Sequence, residues 1–358
     1  MSSDGQFFVE VDGHDISAKP GETLLDVAAR AGAEVPTLCH DPRLDPMGSC
    51  RMCLVEIEGQ GRLQPACAFA AAPGQKVTTE SPRITRHREL LLSFYCADHE
   101  LDAEGLPSHR GVGNELRSHV ERYGTGPRIP AIEAPREGRV DANPYVHFEP
   151  DACILCNRCV RYCDEVEAVS AINLAGRGGA TTIATADQMP LLESSCELCG
   201  GCIDVCPTGA MTEKPSLGSN IAEEELTRTT CNFCGVGCQL NLHVRDERVV
   251  RISSPPPGET LNDGNLCVKG RFAYEFVHHE ERLTTPLIRG ADGALHEASW
   301  EQAIEAAAEG LLGVRARHGA DALGFISSSR CTGEENYLVQ KLARAAFGTN
   351  NVHQCAAT

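Results

Sequence analysis

Cys153-Ile-Leu-Cys156-Asn-Arg-Cys159-Val-Arg-Tyr-Cys163 and Cys196-Glu-Leu-Cys199-Gly-Gly-Cys202-Ile-Asp-Val-Cys206-Pro207 are two copies of one pattern, Cys-x2-Cys-x2-Cys-x3-Cys. Three thiolates on a tight loop can cap three irons of one cubane, while the fourth, on the helix that follows, ligates the neighbouring cluster. The pattern assigns Cys153, Cys156, Cys159 and Cys206 to one [4Fe–4S] centre, and Cys196, Cys199, Cys202 and Cys163 to a second. Structural zinc is the other chemistry of clustered thiolates, but it takes one tetrahedral ion between two separated Cys pairs. Two complete four-Cys runs fit iron–sulfur clusters better. The stretch reads as an electron relay.

The rest of the composition agrees. At 358 residues the chain has room for about two to three domains. Its net charge of −18 argues against nucleic acid and against an anionic membrane surface, and asks for a basic face on any charge-steered partner. No apolar run approaches the roughly 18 residues of a membrane helix. Met1-Ser2-Ser3-Asp4-Gly5 has neither a basic leader nor a twin arginine. Nineteen cysteines without an export signal point to metal or redox chemistry in a reducing compartment rather than to disulfides. The expectation is a cytoplasmic iron–sulfur protein.

Upstream, Phe7–Val11, the Asp12-Gly13 turn and His14–Ala18 read as a β-hairpin ended by Pro20-Gly21. Thr23–Ala31 reads as a short helix with Leu24, Val27, Ala28 and Ala31 on one face, stopped by Gly32. Cys39, Cys50, Cys53 and Cys67 follow, with a strand Leu54–Glu58 between the last two. Plant-type ferredoxins space their ligands differently, and four thiolates would also satisfy zinc. Residues 1–80 resemble the β-grasp ferredoxin domain at the front of the large subunits of NADH:quinone oxidoreductases, iron hydrogenases and NAD-linked formate dehydrogenases. That resemblance implies a [2Fe–2S] cluster on these four cysteines.

In those relatives the next segment carries one His and three Cys that hold a further [4Fe–4S] cluster. Residues 81–143 keep the frame: a helix from Ile84 to Tyr95, a Gly-rich bend, and a helix over Asn114–Tyr123. They offer only Cys96, with His99, His109 and His119 nearby, and one cysteine cannot hold a cubane. The cluster is expected to be lost and the helical spacer kept, with the histidines solvated. Gly124 to Pro144, broken by Pro127, Pro130 and Pro135, reads as a linker. In 144–223, Ile172–Leu174 and Thr181–Ala184 read as short strands of a ferredoxin-like domain around the two cubane runs. Gly176-Arg-Gly-Gly179 between them lacks a Lys-Ser/Thr ending and a following helix, so it reads as a turn rather than a phosphate loop.

From 224 to 281 the spacing changes to Cys231-x2-Cys234-x3-Cys238-x28-Cys267, with a hairpin of Gln239–Val244 and Arg248–Ile252 in the long gap. Spacing alone would also suit a zinc ribbon. The words Cys231-Asn-Phe-Cys-Gly-Val-Gly-Cys238 and Leu266-Cys-Val-Lys-Gly-Arg-Phe272 resemble the N-terminal domain of molybdenum- and tungsten-bis(pterin guanine dinucleotide) oxidoreductases. The resemblance implies a third [4Fe–4S] cluster here, and places Lys269 on the family's lysine between cluster and pterin. A cation there would favour electron arrival at the cluster; a lone lysine is otherwise a solvated surface charge.

Residues 282–358 read as the start of a pterin-binding α/β domain. Arg282-Leu-Thr-Thr-Pro-Leu-Ile-Arg289 resembles the family's connector. Ser299 with Gln302 caps a helix ended by Gly319, whose buried face is expected to be Trp300, Ala303, Ile304, Ala307 and Leu311. Leu323–Ser327 reads as a strand, and Thr332 with Glu335 caps a second helix carrying Leu338, Leu342 and Ala345. Ser327–Thr332 falls at a strand carboxyl end, where doubly wound sheets bind ligands, though a turn and a helix cap explain the same residues. In formate dehydrogenases a Gly-Thr-Asn-Asn stretch leads, after a first cysteine, to a Cys or selenocysteine on the metal. Gly348–Asn351 matches the stretch and Cys355 the first cysteine, so the metal ligand is expected directly after Thr358. A selenocysteine codon read as a stop would place the end there; a contig boundary is the other explanation.

Together these readings imply a multidomain α+β chain: a β-grasp [2Fe–2S] ferredoxin (1–80), a helical spacer and linker (81–143), a two-cluster [4Fe–4S] domain (144–223), a [4Fe–4S] domain (224–281) and an incomplete α/β domain (282–358). By resemblance it is the electron-carrying N-terminal part of a formate dehydrogenase catalytic subunit, with one [2Fe–2S] and three [4Fe–4S] clusters, and molybdenum or tungsten on bis-molybdopterin guanine dinucleotide in the full protein. The expected partner is a flavin- and NAD-binding iron–sulfur subunit or a hydrogenase subunit; no nucleic acid or membrane insertion is expected. The alternatives are the large iron–sulfur subunit of an NADH:quinone oxidoreductase-like complex, an iron hydrogenase, or a standalone electron-transfer subunit. Beyond the 16 ligands, Cys96, Cys331 and Cys355 are expected to be ordinary buried thiols.

Overall fold

The computed structural model describes residues 5–108, 113–126, 129–130, 136, 141–217 and 223–355. His109 and the residues around the expected metal ligand, Ala356–Thr358, lie outside these, as does most of the linker. The chain divides into two compact units, residues 1–224 and 225–358.

The first unit opens with strands β1 (Phe7–Val11) and β2 (His14–Ala18), joined through Asp12 and Gly13 at φ 49° and 86°. Two left-handed residues in succession make the tight hairpin turn that matches strand twist. Helix α1 (Leu24–Arg30) follows, its first turn closed by a reciprocal capping box of Thr23 and Asp26. Strands β3 (Leu54–Ile57), β4 (Gln64–Pro65) and β5 (Lys76–Thr78) complete a five-stranded sheet in the order β2-β1-β5-β3-β4, with β1 and β5 parallel. Val9, Val11, Leu24, Val27, Val55, Ile57 and Val77 fill its core together with Cys53 and Cys67.

Helix α2 (Pro82–Ala97) has Ser81 as N-cap and Pro82 in its first turn, where the missing N–H costs nothing. Arg88, wholly buried on α2, ties the helix to the sheet. Its guanidinium donates to the carbonyls of Met52 (3.2 Å), Leu54 (3.4 Å) and Thr79 (3.1 Å), and pairs with Glu80 at 2.6 Å. Helix α3 (Glu115–Tyr123) lies against α2. Leu92 of α2 and Leu116 and Val120 of α3 share a second core with Leu38, Cys39, Cys50 and Met52, against which Ile154 and Cys156 pack. The spacer helices therefore pack against both the loop of the first four cysteines and the first cubane run.

In the rest of this unit β6 (Val146–Phe148) pairs antiparallel with β9 (Met211–Glu213). Inside that frame lie α4 (Arg158–Arg161), the hairpin β7 (Asn173–Ala175) and β8 (Thr182–Ala184), and α5 (Gly201–Asp204). The hairpin is turned by Gly176 to Thr181, and a side chain on Gly176 would strike Ala180 O at 2.6 Å.

The second unit begins with an antiparallel meander of β10 (Glu225–Thr230), β11 (Gln239–Arg245) and β12 (Arg248–Ser253), followed by α6 (Val268–Phe272) and a small hairpin of β13 (Leu287–Arg289) and β14 (Leu295–Glu297). Helix α7 (Trp300–His318) carries the expected Ser299–Gln302 capping box and stops at Gly319. Strand β15 (Phe325–Ser328), helix α8 (Gly333–Lys341) and strand β16 (Val352–Cys355) form the start of an α/β layer, with β15 and β16 parallel. The face expected to be buried on α7 is not: Trp300 is 70% and Ile304 63% exposed, Ala307 is also exposed, and Ala303 and Leu311 are only half-buried. An amphipathic stripe needs a sheet to cover it, and among the described residues this layer has two strands.

Candidate metal centres

The first centre lies between sheet and spacer. Cys39, Cys50, Cys53 and Cys67 are all buried, at 1–4% exposure. They stand as two pairs. Cys39 accepts a hydrogen bond from Cys50, which lowers its pKa to about 5, and Cys67 accepts one from Cys53, which lowers its pKa as well. The Cys50 N–H also points at Cys39 Sγ, at 3.4 Å. Gly48 and Arg51, both near φ 60°, bend the loop around the pairs. Two pairs of thiols suit a two-iron core with two thiolates on each iron.

The two cubane runs repeat each other in backbone as well as in sequence. Leu155 and Asn157 are left-handed in the first, at φ 56° and 64°; Leu198 and Gly200 take the same positions in the second, at 54° and 75°. Alternating left-handed residues turn successive N–H groups inward and make a concavity for an anionic group. The N–H of Leu155 faces Cys153 Sγ and that of Leu198 faces Cys196 Sγ, both at 3.4 Å. Gly201 N–H faces Cys199 Sγ at 3.5 Å, Ala171 N–H faces Cys163 Sγ at 3.2 Å, and Met211 N–H faces Cys206 Sγ at 3.4 Å. The thiols of the two runs lie close enough to act on one another. Burial first, then the neighbouring charges of Cys156, Cys206 and Cys153, raise the Cys159 thiol. Cys196 is raised by burial and feels Cys163.

The third set is in the second unit. Cys231 N–H bonds Cys238 O at 2.8 Å, closing the loop, and Cys267 is the N-cap of α6. Burial raises the Cys238 thiol, with Cys231, Cys234 and Cys267 adding to it. Lys269 is half-buried and acts on Cys231 in the opposite sense. Gly270 of α6 lies against the same cysteine, its Cβ position 3.5 Å from Cys231 Sγ.

Among the described residues no three His, Cys, Asp or Glu side chains converge on a point for a single ion. Four thiolates in each set suit an iron–sulfur cluster by their chemistry. Of the spacer histidines, His99 and His119 are not solvated as expected. His99 is buried with Nδ1 2.7 Å from Glu100 O, and His119 Nε2 is 3.0 Å from Thr37 O. His99 thus meets the carbonyl of the next residue, and His119, half-buried on α3, that of Thr37 just before Cys39. Cys96 and Cys331 are half-buried rather than buried.

Sequence reasoning missed the charged groups around the thiols. Arg161 on α4 reaches Cys39 O at 3.4 Å, and Glu165 accepts from Asp45 N–H at 2.8 Å, so the cubane region grips the first centre's loop. Tyr162, 1% exposed, has the Arg43 guanidinium 4.9 Å from its ring centre and Gly201 on its edge. The only available signal was that Arg161, Tyr162 and Glu165 sit within or just after a run of ligand cysteines.

Comparison with known proteins follows the same division. Residues 6–82 match the 2Fe-2S iron-sulfur cluster binding domain, and 143–212 the ferredoxin-like domain of NADH-quinone oxidoreductase subunit 3. Residues 224–279 match the molybdopterin oxidoreductase Fe4S4 domain and 282–358 the molybdopterin oxidoreductase family. These domains define the class, an iron–sulfur oxidoreductase chain. More particularly, the matched regions join these ferredoxin modules to a molybdopterin oxidoreductase region in one chain. It is 38% identical over 346 residues to the alpha subunit of the NADPH-Fe(3+) oxidoreductase of Geobacter sulfurreducens, and 38% over 352 residues to an NADH-quinone oxidoreductase subunit of Rhizobium meliloti, covering 96% of this chain in both. It is 30% identical over 388 residues, 97% of this chain, to a Staphylococcus aureus protein provisionally named a formate dehydrogenase. The chain spans 39% of the length of each of these relatives. A crystal structure of an NAD+-reducing [NiFe]-hydrogenase in the H2-reduced state aligns with TM-score 0.53 and 30% identity, covering 60% of this chain and 90% of that one. No helix among the described residues is long and apolar enough to cross a membrane.

Proposed function

We propose that this chain carries electrons from a pterin-bound metal site to a partner subunit, on one [2Fe–2S] and three [4Fe–4S] clusters held by the sixteen ligand cysteines. Lys269 is the cation beside the third cluster on the pterin side. When bound, the clusters supply one-electron carriers and the pterin-bound molybdenum or tungsten a two-electron site. The chain's own part is to bind the clusters through thiolates and aim N–H groups at their sulfurs.

One observation carries the pterin end of this reading. Ser328 pairs with Cys355 across the parallel strands β15 and β16, so Ser327–Thr332 and Cys355 share one carboxyl edge. That edge is the ligand side of a doubly wound sheet. The Cys234–Cys238 loop reaches the same edge, since a side chain on Gly235 would lie 3.5 Å from Ser329 O.

Formate is the proposed substrate of the full protein, oxidised to carbon dioxide, a proton and two electrons, or formed in reverse. The support is the Gly348–Asn351 stretch and the 30%-identical relative. The test is the full-length protein, purified without oxygen and mixed with formate. Reduced-cluster electron paramagnetic resonance signals within the mixing time support formate; signals with NADH or NADPH alone, and no detectable pterin, favour the second reading. That reading, a relay subunit of a pyridine-nucleotide oxidoreductase complex, has the two 38%-identical relatives behind it.

A further inference from the structure

The spacer lacks the residues for a cluster of its own, yet α3 is held against the neighbouring one by specific contacts. Arg158 lies between ligand cysteines Cys156 and Cys159, with its side chain 8% exposed. Its guanidinium makes a two-pronged pair with Glu115, the first residue of α3, at 2.7 Å and 3.1 Å. The same Nη1 donates to Val205 O at 3.4 Å, one residue before Cys206. The backbone N–H of Glu115 donates to Pro207 O at 2.7 Å, one residue after Cys206. One residue of α3 thus grips both chain segments that supply the first cubane: the Cys153–Cys159 loop through its carboxylate, and the Cys206 segment through its backbone. Arg158 Nε is buried with no hydrogen-bond acceptor among the described residues, and Cys156 lies in the guanidinium's field. His40 and Asp41, beside Cys39, feel the same charge.

We infer that Arg158, clamped by Glu115 of α3, is a positioning residue that sets the reduction potential of the centre held by Cys153, Cys156, Cys159 and Cys206. This rests on the reading that those four cysteines hold a [4Fe–4S] cluster. Reduction adds one negative charge to a site already ringed by thiolates. A fixed cation buried next to it stabilises the reduced form, because Coulomb interactions strengthen away from water. The Glu115 carboxylate, which is 46% exposed, offsets part of that charge and holds the guanidinium in one orientation. The retained spacer is then an electrostatic clamp, and its removal would be felt as a change of potential.

The test is a redox titration of the full-length protein followed by electron paramagnetic resonance, with the relevant signal identified by its loss in Cys153→Ser. Arg158→Gln is expected to lower the midpoint so that the reduced fraction at a given potential falls about tenfold, 59 mV for one electron. Arg158→Lys, which keeps the charge, should stay near wild type, and Glu115→Gln should move the midpoint upward. An unshifted midpoint in Arg158→Gln with the cluster present, or equal shifts in the Lys and Gln variants, would overturn the inference. If Arg158→Gln fails to retain the cluster, Glu115→Gln decides: an upward shift supports the inference and an unchanged midpoint ends it. Failure of the underlying reading looks different. Wild-type protein would then show no [4Fe–4S] signal that disappears in Cys153→Ser, and that variant would keep the full iron content instead of losing about four irons.

Discussion

At the scale of single residues, buried cations and close glycines hold the thiols in place. Arg88 is the clearest case. Three backbone carbonyls and a carboxylate converge on one guanidinium, and two of those carbonyls, Met52 and Leu54, flank Cys53. Arg88→Met would fill the volume but leave buried acceptors unpaired, each costing about 1–3 kcal/mol. The expected loss is roughly 3 kcal/mol or more, with the visible absorption of the [2Fe–2S] centre bleaching before the far-ultraviolet dichroism changes in a denaturant titration. Coincident transitions would show that Arg88 stabilises the unit without favouring that loop. Gly201 makes a steric counterpart. A Cβ at this position would fall 2.0 Å from the Tyr162 ring, and the ring is held by Arg43 and by a hydrogen bond to Glu167 at 3.1 Å. Gly201→Ala should therefore displace α5 and Cys202, and iron analysis should report about four irons fewer per chain. Full iron content would mean that Tyr162 has room to move.

At the scale of elements, legibility follows sequence distance. The caps at Ser299 and Thr332 are readable because each uses a partner three residues away, and both form as reciprocal boxes, as does Thr23, which the sequence reading placed inside its helix. The hairpin at Asp12-Gly13 is equally local. The clamps are not, because Arg158 and Glu115 are 43 residues apart and Arg88 and Met52 are 36. No periodicity marks such pairs. His119 departs from the solvated reading for the same reason, since its partner Thr37 is 82 residues away, whereas His99 bonds the carbonyl of the adjacent Glu100. On α7 the stripe is legible but its cover is not, and Trp300 and Ile304 stand in solvent. The boxes are useful as controls. Thr23→Ala should cost about 1 kcal/mol and lower the thermal midpoint without altering any cluster signal. A changed [2Fe–2S] signal would tie α1 to the cluster more directly than the structure does.

At the scale of the molecule, the two units give the cluster assignment a stoichiometric form. The first unit holds the cysteines of the paired thiols and both cubane runs, and the second holds the Cys231–Cys267 set. The first unit has its own cores, with a sheet, two spacer helices and the ferredoxin-like frame packed through residues up to Ser216. Expressed alone as residues 1–224, it should bind about ten irons, and the whole chain about fourteen. A whole chain with about eighteen would restore the spacer cluster, against the argument that a lone cysteine cannot hold one. Residues 225–358 alone should behave differently, because Trp300, Ile304, Ile326, Tyr337 and Leu338 are all more than half exposed. Apolar surface of that extent favours association. The fragment is expected to sediment as oligomers even with its cluster bound, and a monodisperse monomer would show that the apolar residues are too scattered to act as one surface.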